Sequence, residues 1–309
     1  MINYLKLIRI KHWFKNILVF LPIIFSLNLF KSTYIICSTL AFLTFCLSSS
    51  MVYIINDISD KEKDKKHPVK KERPIASGKI SVKKAIIILI LLLATIVFVF
   101  AVMYFKYSIS ILRITLIPCV YILINILYSK ILKNIPIIDV CILVLGFLLR
   151  VFYGGLVIDV YVSKWLYLMI VFGSFYMGFG KRRNEIIKNG SSGRKVLKFY
   201  TKEFLDKNMY VALGLAIVSY SLWSVDPTTI ARVGNDYLFW TIPLVMVILQ
   251  LYSLNIEGDS HGDPIEVILS DKVLLITSLL YGVVMILLLY VVWWMYMILM
   301  EPFIMVIPQ

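Results

Sequence analysis

Asp57, Asp60 and Asp64, spaced three and four apart and led by Asn56, are the side chains of this sequence best placed to do chemistry. On a helix that continues through Asp64, the spacing stacks all three carboxylates on one face. Like charges held that close raise one another's pKa, so the arrangement makes physical sense with cations between them. Mg2+ is the expected cation, because it takes hard oxygen ligands from one or two carboxylates and completes its shell with water and substrate phosphate. The plainer alternative is a solvated loop whose acids pair with Lys61, Lys63, Lys65 and Lys66. Position argues against it: the cluster follows directly on the apolar run from Phe42 to Ile55, and acids so near a membrane interface are costly unless used.

The elements that must position this cluster are membrane helices. The chain has 309 residues, 60% hydrophobic and only 16% charged, and its mean hydropathy of +0.87 belongs to a polytopic membrane protein. A formal charge of +14 would suggest nucleic acid in a soluble protein. Here the charge follows the membrane topology, and no nucleic-acid partner is expected. Cys37, Cys46, Cys119 and Cys141 lie in apolar runs without metal-type spacing and are expected to be small buried side chains. The run starting near Phe14 lacks a small-residue cleavage site and is followed by further spans, so it reads as a first membrane helix.

Residues 1 to 16 are basic and amphipathic, as suits an interfacial segment. Apolar runs follow at about 15–30, 34–56, 82–104, 108–128, 136–157, 164–180, 208–226, 237–255 and 273–298, which predicts nine transmembrane helices. With the N-terminus in the cytoplasm, 26 of the 32 lysines and arginines fall on the cytoplasmic side, 5 fall outside, and Arg150 lies within the membrane. The expectation is a multi-pass protein of the inner or plasma membrane whose working loops, about 57–82, 129–136, 181–207 and 256–272, face the cytoplasm.

The first loop runs on through His67, Pro68, Arg73, Pro74 and Gly78, which exclude one continuous helix, and Ser81 is placed to cap the next span. Its cations are either topogenic or hold diphosphate oxygens, and Arg73, with a planar fork, is the candidate for the second role. In the next cytoplasmic turn, Tyr128, Lys133 and Asp139 stand together in sequence. Asp139 opens an apolar helix, where a carboxylate either favours the N-terminus or binds something.

Arg150 is three turns further in, about 16 Å by helix rise, and is expected to face a cavity or a partner, with Asp159 and Asn125 as candidates. The third loop opens Gly180-Lys181-Arg182-Arg183-Asn184-Glu185, and Arg182 and Glu185 share a face if the helix continues. The last loop, Glu257 to Glu266, carries four acids on an otherwise basic side, and its Gly and Pro residues also suit a plain turn.

Asn56-Asp57-x-x-Asp60-x-x-x-Asp64 resembles the first Asp-rich motif of the UbiA superfamily of intramembrane prenyltransferases. Within it, several stretches resemble the decaprenyl-phosphate phosphoribosyltransferase branch. These are Trp13-x-Lys15-Asn16, His67-Pro68 through Arg73-Pro74-Ile75-Ala76-Ser77-Gly78, Tyr128 through Lys133 with Asp139, Gly180-Lys181-Arg182, and Gly262-x-Pro264-x-Glu266 with Asp271. The resemblance covers nearly the whole chain. It implies one all-α UbiA-like domain over 1–309, with about nine helices around a central cavity.

The activity it implies is Mg2+-dependent transfer of 5-phosphoribosyl from phosphoribosyl pyrophosphate to a polyprenyl phosphate, releasing pyrophosphate, in the synthesis of arabinan-type envelope precursors. Asp57, Asp60 and Asp64 carry over as the metal and catalytic acids, and Asn56 joins them at the donor diphosphate. Lys15, Asn16, Arg73, Tyr128, Lys133, Asp139, Arg150, Lys181, Arg182 and Glu185 are the further substrate-binding candidates. A phosphate nucleophile is already anionic, so this chemistry needs no general base, in keeping with only three histidines.

Two rivals remain. A conventional prenyltransferase, moving a prenyl group from prenyl diphosphate to an aromatic or lipid acceptor, would use the same aspartates. A lipid-phosphate carrier would bind without turnover. The exposed apolar faces suit lipid, a substrate tail or a second copy in a homo-oligomer equally well.

Overall fold

The computed structural model describes residues 2–189, 194–258 and 264–291. The described residues are helical with no strand, and the chain divides into two compact units, Met1–Val162 and Ser163–Gln309.

The first unit begins with α1 (Ile2–Leu7), a 3-10 helix over Ile10–Phe20, and α2 (Leu21–Phe25). The apolar run expected to form one helix over 15–30 is therefore split. Pro22 lacks an N–H and starts a new helical segment, which is where the 3-10 helix gives way. Eleven residues of 3-10 helix is unusually long, and at about 2.0 Å per residue it reaches further than an α-helix of equal length.

Three long helices and a short one follow: α3 (Ser32–Ser59), α4 (Lys61–Lys65), α5 (Val82–Tyr107) and α6 (Ile111–Lys130). The unit closes with α7 (Ile138–Val157). The core is built on α3, whose Ala41, Phe45 and Val52 pack with Val19 and Ile23 from the entry segment and with Leu149, Tyr153 and Val157 of α7. Ser81 caps α5 by accepting from the Lys84 N–H, as expected from its place before the span. Gly78 takes a positive φ of 76° in the connection ahead of it. The outer face of α5, including Ile87, Ile90, Phe98 and Phe105, is exposed apolar surface suited to lipid.

The second unit holds α8 (Lys164–Asn189), α9 (Lys202–Ser224), α10 (Pro227–Val233), α11 (Ile242–Glu257), α12 (Pro264–Ser270) and α13 (Lys272–Ile286). Thr201 caps α9 and Asp271 caps α13 through their side chains. Among the described residues, six helices are long and apolar enough to cross a membrane, or seven if the bent pair α9 and α10 forms one span. The expected run at 164–180 is helical within α8, but Lys164 and the charged stretch from Lys181 leave that helix polar at both ends. The end of the run at 273–298 lies outside the described residues.

Candidate functional site

The acid cluster sits where α3 ends. Asp60 leaves helical geometry at φ −94°, ψ 7°, so the continuous helix through Asp64 is not formed and α4 restarts at Lys61. The break divides the three aspartates. Asp57 and Asp64 are buried at 2% and 4% exposure, whereas the Asp60 side chain remains partly exposed beside Lys63 at 3.8 Å.

Arg73 joins the two buried acids. Its Nη1 donates to Asp64 Oδ2 at 2.7 Å and to Asp57 Oδ1 at 3.1 Å. Arg9 Nη2 donates to the same Asp57 oxygen at 2.7 Å, and its guanidinium lies over the Tyr53 ring, 4.3 Å from the centroid. Two acids are thereby balanced by two guanidinium groups. Arg73, which the sequence suggested for phosphate, holds carboxylates here. Its Pro74 neighbour and the buried Ile75 and Ala76 anchor the loop that carries it.

Arg9 was not among the sequence candidates, because it reads there as one more cation of a basic N-terminal segment. Its backbone is left-handed, at φ 52° and ψ 52°, an unfavourable conformation for a residue with a Cβ. That turn lies between α1 and the 3-10 helix and faces Arg9 toward Asp57. The unusual backbone is a signal that only the folded chain displays.

The remaining candidates of the first unit fall into two groups. Asn56 accepts from Ser129 Oγ at 2.6 Å, which ties the end of α3 to the end of α6 beside the half-buried Tyr128. Lys133 is half-buried in the turn that follows, and Asp139 is fully buried in the first turn of α7. The residue ahead of α7, Ile137, takes φ 68°, a strained backbone for a β-branched side chain.

Deeper in the unit, Asn16 and Arg150 are paired, with Nε donating to Oδ1 at 2.7 Å. The partners suggested for Arg150 by sequence are engaged elsewhere: Asp159 pairs with Arg113 at 2.9 Å, and Asn125 donates to the Tyr121 carbonyl at 2.8 Å. Asn125 lies on α6, and Asp159 lies beyond the end of α7 with a left-handed backbone at φ 56°. Lys15, half-buried, stands next to Asn16 on the 3-10 helix.

In the second unit, α8 continues through Glu185, as the shared face of Arg182 and Glu185 required. Arg182, at 1% exposure, donates to Glu185 Oε2 at 3.1 Å, and Arg194 Nε reaches the same oxygen at 3.2 Å. Arg183 Nε donates to Asp206 Oδ1 at 2.5 Å, joining α8 to α9. Lys181 is half-buried at the start of this charged stretch. In the last acidic loop, Asp271 accepts from Asn255 Nδ2 at 2.7 Å and from the Val273 and Leu274 N–H groups, and these donors hold its carboxyl below the usual range. Asp259 and Asp263 lie outside the described residues.

The donor set at Asp57 and Asp64 fits a divalent cation in chemistry. Both supply hard oxygens, a cationic nitrogen already stands between them, and Asp57 Oδ2 and Asp64 Oδ1 have no hydrogen-bond partner among the described residues. Among those residues no three acidic, cysteine or imidazole groups converge on one point, and Asp57 and Asp64 are the two carboxylates that Arg73 brings together. That is the usual protein contribution to an Mg2+ site completed by substrate phosphate.

The model of the UbiA prenyltransferase family matches residues 19–266. A decaprenyl-phosphate phosphoribosyltransferase of Corynebacterium glutamicum is 32% identical over 286 residues, covering 89% of this chain and 83% of that protein. The protein of the same name from Mycolicibacterium smegmatis is 32% identical over 289 residues, covering 89% and 88%. Among solved structures, a UbiA homolog from Archaeoglobus fulgidus bound to GPP and Mg2+ superposes with a TM-score of 0.65 at 19% identity, covering 93% of this chain and 99% of that one. That level of identity carries the fold alone.

Proposed function

The chain belongs to the UbiA prenyltransferase family, and from that premise we propose that it transfers 5-phosphoribosyl from phosphoribosyl pyrophosphate to a polyprenyl phosphate, with release of pyrophosphate. The observation that carries this reading is the balanced cluster of Asp57, Asp64, Arg9 and Arg73, joined to full-length relatives that bear the phosphoribosyltransferase name.

In this account Asp57 and Asp64 hold Mg2+, and Asp60 stands at the open edge of the same site. Bound there, Mg2+ supplies Lewis-acid stabilisation of the charge that builds on departing pyrophosphate. Arg9 and Arg73, whose guanidinium groups stand at the same acids, would offer further N–H donors to diphosphate oxygens, a role that suits a planar guanidinium. Asn56, held by Ser129, orients the end of α3, and Tyr128, Lys133 and Asp139 line the neighbouring turn. Lys181, Arg182 and Glu185 form a second phosphate-side cluster in the second unit. The acceptor phosphate attacks the anomeric carbon as an anion, so the chain needs no base. One UbiA-like domain, with nine crossings around a central cavity, an N-terminus in the cytoplasm and its working loops on that side of the plasma membrane, accommodates both substrates.

The test supplies purified protein in detergent and Mg2+ with alternative donors. Pyrophosphate release with phosphoribosyl pyrophosphate and polyprenyl phosphate, and none with prenyl diphosphates, supports the reading. Release only with a prenyl diphosphate and an aromatic or lipid acceptor replaces it with conventional prenyl transfer. Lipid-phosphate binding without turnover on any donor makes the protein a carrier.

A further inference from the structure

Inward from the acid pair, one face of α3 carries Tyr53, then Ser50 and Ser49, then Cys46, about 12 Å from Asp57 to Ser49 by helix rise. The 3-10 helix runs against it. Trp13 Nε1 donates to Ser50 Oγ at 3.0 Å, and Asn16 Nδ2 reaches Cys46 Sγ at 3.2 Å and Ser49 Oγ at 3.5 Å. At the inner end of this face stands Arg150, 8% exposed, and no carboxylate pairs with it among the described residues.

Its hydrogen bonds go to neutral oxygens only: Nε to Asn16 Oδ1 at 2.7 Å, Nη1 to the Gly146 carbonyl at 2.5 Å, and Nη2 to Tyr121 Oη at 3.2 Å. The rings of Phe45, Tyr121 and Phe147 surround the guanidinium at 5.4, 5.0 and 5.8 Å. A guanidinium has five N–H donors, so two exceed the acceptors present. Tyr121 oxygen accepts from Arg150, and its own O–H has no acceptor among the described residues. The cluster therefore carries positive charge and surplus donors, while its acceptors are committed. Aromatic faces offset part of the cost of that buried charge, but an uncompensated cation at this depth is stabilised far more by an anion.

We propose that Arg150 and Tyr121, positioned by Asn16, bind the phosphate monoester of a substrate within the first unit. The proposal rests on the reaction above, in which both substrates carry that group: the polyprenyl phosphate at its head and phosphoribosyl pyrophosphate at its 5-position. The two sources share one recognition chemistry, and experiment separates them.

The experiment uses the full chain in detergent, with Tyr121→Phe, Arg150→Lys and Arg150→Met variants. Tyr121→Phe keeps the ring beside the guanidinium and removes the hydroxyl, which supplies the O–H donor and accepts from Arg150 Nη2. Binding of farnesyl phosphate and of ribose 5-phosphate is measured without a second substrate, alongside KM for each full substrate. The expected result is a dissociation constant raised about tenfold or more for at least one probe in Tyr121→Phe and Arg150→Met, the scale of one charged hydrogen bond, with Arg150→Lys intermediate. A change for farnesyl phosphate assigns the site to the acceptor, and a change for ribose 5-phosphate assigns it to the donor. Wild-type affinity for both probes in Tyr121→Phe and Arg150→Lys, or no binding of either probe by the wild type, would overturn the proposal and leave Arg150 a structural clamp. Should Arg150→Met fail to fold, the other two variants decide. Probe binding that depends on these residues in a protein without phosphoribosyl transfer would retain the site and reject the reaction.

Discussion

Asp57 meets two guanidinium groups through one oxygen, Oδ1, and Arg73 divides itself between Asp57 and Asp64. A carboxylate so placed balances charge with protein partners before substrate arrives and has a second oxygen to offer a metal. Asp57→Asn keeps the shape and removes the charge. The expected outcome is a loss of turnover of about a hundredfold or more, the size seen when one preorganised electrostatic group is removed from a reacting site. Circular dichroism should show a folded protein, since Arg73 retains Asp64. The spacing of the acids was legible because it is local. Which cations balance them was not: Arg9 lies 48 residues from Asp57, and a basic N-terminus has many equivalent lysines in sequence. At Asp271, the Asn255 amide and two backbone N–H groups hold the carboxyl below its usual range. A depressed folded pKa gives stability that is full above the unfolded value, about 3.9, and is lost as pH falls through the folded value. Acid melting curves of the wild type should therefore lose a contribution below about pH 4 that Asp271→Ala lacks throughout.

The 3-10 helix is the element on which the first unit turns, since it carries Trp13, Lys15 and Asn16 and begins at Arg9. It lies directly on α7 at Gly154, where an added Cβ would stand 2.0 Å from the Val19 carbonyl oxygen. No side chain fits at that distance, so Gly154→Ala must push the segment away or rearrange α7. We expect a loss of about 1–3 kcal/mol or more, read as a lower melting temperature together with weakened substrate binding. Gly173→Ala, in α8, is the control, because an added Cβ there would meet nothing within 4 Å. The length of continuous apolar runs located the long helices α3, α5 and α6 well, and the Ser81 cap was readable because it precedes its helix directly. The 3-10 geometry was not readable. An apolar run has the same composition in either helix, and the choice follows from close approach to Gly154 and the break at Pro22.

At the scale of the molecule, the distribution of cations sets an expectation for orientation. Cysteine introduced in place of Lys71, in the first basic loop, should react with a membrane-impermeant thiol reagent only from the cytoplasmic side of sealed vesicles. Cysteine in place of Lys106, at the other end of α5, should react from the opposite side. The reverse pattern would invert the topology. Composition alone made the membrane class legible, because so much apolar surface has no place in a soluble core.

Direct titration of phosphoribosyl pyrophosphate into the wild type and Asp64→Asn, with and without Mg2+, tests the central claim most directly. The account predicts wild-type binding that strengthens markedly with Mg2+ and a loss of that Mg2+ dependence in Asp64→Asn. Equal affinity with and without Mg2+ in the wild type, or an unchanged Mg2+ dependence in the variant, would contradict it.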